Sequence, residues 1–275
     1  RLGEWWRRIG DLTGKVVKIP SSYTIAPKLS SDISLKKLII EDGATLTIPE
    51  NGKLTVEKIN IVGNGSLNAT AGTVVFSGDN SKYSAENPDL STFGTIEVVS
   101  GTFNLNYPLT LTQLNIASGA IFSTSNELVI SSIENSGDFS TTADLHIKKS
   151  LKNNGTFQAE KVYLEPSENE VTIIGQSGDS EIAEKTKISE LYCINQAGKN
   201  LVINNAISVE KIALSGIENA SDKRLTVKYD EDKYTAGFIY LENNYDEAKY
   251  LSLADSLVTI KNATITVYES DTQNI

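Results

Sequence analysis

Residues 145–157 read LHIKKSLKNNGTF, and residues 131–139 read SSIENSGDF. Both stretches carry the same phrase: an aliphatic residue, a polar turn ending in glycine, one polar residue and then a bulky apolar one. Nothing in the phrase resembles a catalytic motif, so its recurrence, from Gly137 to Gly155, points to architecture. Three further copies occur upstream: IIEDGATL around Gly43, INIVGNGSL around Gly65 and LNIASGAIF around Gly119. A repeat at a short period is the signature of a stacked, quasi-one-dimensional fold.

A longer echo overlies the short one. VVFSG ending at Gly78 returns as VTIIG ending at Gly175, and NIASG ending at Gly119 returns as IALSG ending at Gly216, at the same offset in both cases. Two matching offsets indicate a duplicated block of several turns.

Inside each phrase the apolar residues alternate, as in Leu38/Ile40, Leu54/Val56, Ile59/Ile61, Leu114/Ile116 and Leu201/Ile203. Period two means β-strand, with every second side chain on one buried face. The strands are short and separated by Gly, Asn, Ser and Asp, which tolerate or build turns. Such spacing fits a β-sandwich or a solenoid. A period of roughly 20 residues favours the solenoid, because two or three strands with their turns complete one coil. On this reading Leu151 and Phe157 point inward, in columns shared with Ile133 and Phe139 one coil earlier. Gly43, Gly65, Gly119, Gly137 and Gly155 are structural turn glycines. Residues 1–33 form an N-terminal cap, 34–216 the coils of about 18–22 residues, and 217–275 a C-terminal β-rich cap or small domain.

Composition excludes several function classes. The chain has 275 residues, 39% hydrophobic, and a formal net charge of −10. Phosphate backbones are bound by basic surfaces that release counterions, so nucleic acid is not an expected partner. Arg7 and Arg8, beside Trp5 and Trp6, are the local exception, and the tryptophans are expected to plug the open end of the solenoid. No apolar run approaches the roughly 18 residues that cross a bilayer as a helix. One cysteine, Cys193, permits no internal disulfide and reads as a small buried hydrophobe, so packing and backbone hydrogen bonds hold the fold. With His146 the sole histidine, zinc and Cys-His chemistry lack material. No cofactor or metal is expected, and His146 reads as an outward strand residue. The chain has no methionine, which suggests a mature or excised segment.

VVKIPSSYTI (16–25), LKKLIIEDGATLTIPENGKLTV (35–56), GNGSLNATAGTVVFSG (63–78) and LTLTQLNIASGAIF (109–122) together resemble the secreted right-handed β-helix proteins of Gram-negative bacteria, the filamentous-haemagglutinin and adhesin-like group. The resemblance covers about residues 15–216. It implies a right-handed parallel β-helix, export to the cell surface or beyond, and a role in adhesion or as a structural stalk. It carries over no active-site residue, because its motif consists of core aliphatics and turn glycines.

Candidate binding groups are few. Tyr234, Tyr240, Tyr245 and Tyr250 could stack on sugars or a protein partner, or serve as strand residues of a cap. Asp79, Glu86 and Asp89, and Asp230, Glu231 and Asp232, lack the spacing of a calcium loop and read as solvated turns. Glycoside hydrolysis needs two carboxyls at a set separation. Asp42, Glu134 and Asp138 fall in turns without a matched pair, so an enzyme is not expected. Asn64, Asn68, Asn154, Asn219 and Asn262 open N-x-[ST] patterns that a chain this rich in Asn, Ser and Thr produces by chance. The expected function is a non-catalytic extracellular or cell-surface structural or adhesion module. Its partner would be a glycan or a host or matrix protein, and the alternatives are a carbohydrate-binding module or a polysaccharide-processing β-helix.

Overall fold

The computed structural model describes residues 11–21, 28–29, 32–167, 170–175, 185–194, 200–204, 207–215, 224–228, 237–241, 251–252, 257–260 and 263–264. Side chains are described through Tyr192, apart from Glu170, and at Ile207. Trp5, Trp6, Arg7, Arg8 and Asp230 to Asp232 lie outside the described residues, as does the side chain of Cys193. The chain divides into two compact units, Arg1–Asn126 and Glu127–Ile275.

In the first unit the strands are β1 (Val16–Ile19), β2 (Ile33–Ile40), β3 (Thr45–Thr47), β4 (Lys53–Ile61), β5 (Ser66–Ala85), β6 (Thr92–Leu105), β7 (Leu109–Ile116) and β8 (Ile121–Thr124). A 3-10 turn, Pro88–Leu90, lies between β5 and β6. Within this unit β1 pairs with β2, β2 with β4, β3 and β4 with β5, β5 with β6, and β6 with β7 and β8, every ladder parallel.

The second unit contains β9 (Leu128–Asn135), β10 (Asp138–Asn153), β11 (Thr156–Leu164), β12 (Glu170–Ile174), β13 (Thr186–Ile194), β14 (Asn200–Asn204), β15 (Ile207–Ser215), β16 (Arg224–Lys228), β17 (Gly237–Leu241), β18 (Leu251–Ser252), β19 (Leu257–Ile260) and β20 (Ala263–Thr264). Its ladders are parallel as well, from β9 on β10 through β10 on β11 and β12, β11 on β13 and β13 on β15. The strands beyond residue 217 also pair in parallel, β16 with β14 and β19, and β17 with β15 and β20. Parallel pairing between segments one period apart defines an all-β, parallel β-solenoid and overturns the sandwich alternative, whose sheets are antiparallel.

Registers turn the repeat into columns. Val17, Leu38, Ile59 and Tyr83 lie in line, as do Leu54, Val74, Ile96 and Leu114, all buried. In the second unit Leu128, Leu145, Val162 and Leu191 line up, all fully buried. Leu151 sits opposite Ile133, and Phe157 opposite Phe139 with ring centroids 4.6 Å apart and planes 7° from parallel. Both inward columns expected from LHIKKSLKNNGTF are therefore present. The stacked rings add to the area they remove from water, the dominant favourable term in such a core.

The step from one coil to the next varies. That from Leu145 to Val162 is shorter than that from Leu38 to Ile59, and that from Val162 to Leu191 is longer than either. The expected period of about 18–22 residues describes some coils. Turns of other lengths are absorbed between strands.

Turn chemistry departs from the sequence reading in an informative way. Gly43 and Gly119 do take positive φ, but in GNGSL the left-handed residue is Gly63 and not Gly65. Gly155 is needed for a different reason. A Cβ placed on it would run into the carbonyl oxygen of Gly137 and the backbone of Ser136, so the coils press together backbone on backbone at this turn.

Asn153, which with Asn154 and Gly155 is expected to turn the chain, closes β10. It is fully buried, directly over the equally buried Asn135, whose Nδ2 donates to Asn153 Oδ1 at 2.8 Å. Each amide also accepts from the glycine two positions on, Asn135 Oδ1 from Gly137 N and Asn153 Oδ1 from Gly155 N, both at 3.2 Å. Asn153 Nδ2 donates in turn to Gly155 O, Lys185 O and Thr186 Oγ1. The Asn-x-Gly shared by these two phrases is thus a buried amide ladder that satisfies the turn backbone, as buried polar groups must be satisfied.

Gly155→Ala should cost about 1–3 kcal/mol by overpacking. Asn153→Ala should cost a similar ~1–3 kcal/mol by orphaning buried groups. Lys152→Ala, at an exposed neighbour, should stay within about 0.5 kcal/mol. Urea-unfolding midpoints compare the three, and equal midpoints for Gly155→Ala and Lys152→Ala would refute the close approach.

Candidate functional site on the outer face of the second unit

The aliphatic-x-aliphatic phrase recurs as Leu145-His146-Ile147 and Val162-Tyr163-Leu164, and in a variant ending in cysteine as Leu191-Tyr192-Cys193. Because Leu145, Ile147, Val162, Leu164 and Leu191 hold inward register, the middle residue of each triplet faces outward and meets its equivalent: His146 opposite Tyr163, and Tyr163 opposite Tyr192. The three rings stack, with centroids 4.6 Å apart at 9° for His146 on Tyr163 and 4.7 Å apart at 11° for Tyr163 on Tyr192. Tyr163 spends both ring faces on its neighbours, and His146 and Tyr192 one face each.

Carboxylates surround the column. Glu165 Oε1 lies 2.9 Å from His146 Nδ1, and Glu127 Oε1 lies 3.7 Å from His146 Nε2. A neutral imidazole donates from one nitrogen only, so it serves both carboxylates as donor only when doubly protonated. The imidazole stands between Glu127 and Glu165.

One column over, Asp144, Lys161 and Glu190 alternate in sign at directly opposed positions, the favourable arrangement for cross-strand charges. Tyr192 donates its hydroxyl to Glu190. That bond, followed by loss of solvent and by the carboxylate's charge, pushes the phenol up to about 12. Tyr163 is raised too, first by partial burial and then by the charge of Asp144.

The sequence singles out His146 as an outward residue, and it is one, although four-fifths covered by its neighbours. The stack that runs from His146 through Tyr163 to Tyr192 is absent from the sequence reading, yet the signal exists in the three triplets. Unequal steps from one triplet to the next conceal it. Tyr234, Tyr245 and Tyr250 lie outside the described residues, and Tyr240 is described in its backbone alone, in β17. Asp42 and Glu86 accept the backbone N–H groups of Asn64 and Gly63, and Asp79, Asp89, Glu134 and Asp138 are exposed. No three His, Cys, Asp or Glu side chains among the described residues converge as a metal site would require. No helix among them is long and apolar enough to cross a membrane.

Fold and outer face together define an all-β parallel solenoid whose surface side chains are ordered in columns. No family model matches the sequence, and no curated protein or solved structure is significantly similar to it.

The raised phenol fixes a pH window. A group whose folded pKa exceeds its free value of about 10 stabilises the fold fully below that value and loses the contribution as pH climbs towards about 12. Glu190→Gln should return Tyr192 towards ordinary tyrosine titration, read as tyrosinate absorbance. An unchanged titration curve would rule out the Glu190 contact as its cause.

Proposed function

We propose that this chain is a non-catalytic, adhesin-like module of the cell surface or extracellular space, holding a glycan or a host or matrix protein on its outward columns. The observation that carries the reading is the in-register solenoid itself. The core and turns, down to the buried Asn135 and Asn153, serve coil stacking, while outward positions repeat from coil to coil and so present repeated contacts. The same inward-aliphatic and turn-glycine phrases underlie the likeness to the haemagglutinin and adhesin group, and export follows from that likeness. Groups with chemical potential on the second unit's face are engaged with one another, Glu127 and Glu165 with His146, and Glu190 with Tyr192.

Immobilised chain offered a panel of polysaccharides and matrix proteins tests the proposal, with product analysis of each polysaccharide in parallel. Retention of at least one ligand without new chain ends is expected. Depolymerisation products would replace the reading with a polysaccharide-processing enzyme. Failure to retain any ligand, together with resistance of the chain to protease added to intact producing cells, would sink the surface role.

A further inference from the structure

In the first unit three lysines occupy directly opposed positions on consecutive coils. Lys37 is in register with Lys58, and Lys58 with Lys82. All three alternate with buried residues, Leu38, Ile59 and Tyr83, and so face outward; Lys58 and Lys82 are exposed and Lys37 half-buried. Lys36, also exposed, adjoins Lys37, and the Lys15 carbonyl accepts the N–H groups of both. Among the described residues neither Lys37, Lys58 nor Lys82 makes an ion pair, whereas Lys18 is engaged by Glu41 and Lys53 by Glu97. Glu57 precedes Lys58, with its side chain over Gly78.

Like charges at directly opposed strand positions repel. The other unit has the opposite arrangement, alternating Asp144, Lys161 and Glu190. An uncompensated cationic row in a chain of net charge −10 therefore has a cost in the free protein that an anionic ligand would remove. Coil spacing places one ammonium-bearing residue about every 4.8 Å along a line of roughly 10 Å. Beside the row, on the same face, stand the half-buried Asn60 and Ser84, themselves in register. They supply amide and hydroxyl groups next to the charges.

We propose that the row Lys37, Lys58 and Lys82 binds a linear acidic polysaccharide, its carboxylates on the lysines and its ring hydroxyls on Asn60 and Ser84. One cation per coil, in a single row, matches a chain carrying about one carboxylate per sugar. Nucleic acid would require a broad basic field, and a single row of three lysines is not one. The proposal gives a ligand class to the surface-binding reading and rests on it.

Calorimetry and affinity electrophoresis of the full chain test it, with polygalacturonate as probe and dextran, heparin and single-stranded DNA as comparison arms. Binding should weaken as salt rises. It should fall about tenfold or more in the Lys37→Gln, Lys58→Gln, Lys82→Gln variant, a loss of ~1.4 kcal/mol. Lys148→Gln, Lys149→Gln, Lys152→Gln, which removes the same charge from the other unit, should keep the affinity. Because the row repels itself, the first variant should melt no lower than the native chain at low salt, which separates lost binding from lost folding. Equal affinity in both variants, equal retention of neutral dextran, or no binding of polygalacturonate would overturn the proposal. Tighter binding of heparin or DNA would overturn the carboxylate assignment. If the first variant keeps native retention on the wider panel, only the lysine row fails; if the native chain retains nothing there, the surface-binding reading fails with it.

Discussion

A parallel backbone ladder in which each residue meets its equivalent one coil on is the constraint behind everything else in this molecule. Parallel hydrogen bonds fix register, and register decides which side chains share a column. Once Leu145 is set against Val162, the neighbours follow without choice: Ile147 meets Leu164 inside, and His146 meets Tyr163 outside. A one-residue slip would exchange those faces, burying His146 and exposing two aliphatic columns. The buried amides of Asn135 and Asn153 guard against that slip, since only the observed register joins Nδ2 of one to Oδ1 of the other.

How much of this is legible beforehand depends on which physical signal each feature leaves in the sequence. Inward columns leave alternation, which places Leu151, Phe157, Ile133 and Phe139 on their proper face, and parallel stacking follows from the period. Turn geometry leaves only glycine, and glycine serves two needs that look alike in a sequence. At Gly43 it supplies positive φ, whereas at Gly155 it supplies the missing Cβ that lets two coils touch. Asn153 reads as a turn residue because asparagine is common there. Its burial depends on a second asparagine one coil earlier, a long-range partner that local propensity does not register.

The outer face is the least legible part, for a related reason. His146, Tyr163 and Tyr192 form one column only because the intervening segments, of unequal length, return each strand to register. The lysines at 37, 58 and 82 are likewise scattered through the sequence and become a row on folding. Composition reports the global sign, a net negative chain, and hides a local field of the opposite sign. Charge on a solenoid is read along the axis, one residue per coil, and not along the chain.

The long step between Val162 and Leu191 carries a practical meaning. The ladder resumes in register after it as faithfully as after the much shorter step from Leu145 to Val162. Chain length between strands is therefore nearly decoupled from the stacking that stabilises them, in keeping with the slow growth of loop-closure entropy. Such a scaffold is modular for engineering. A foreign peptide spliced between Ile174 and Thr186 would fall between β12 and β13 and leave the columns of both strands intact.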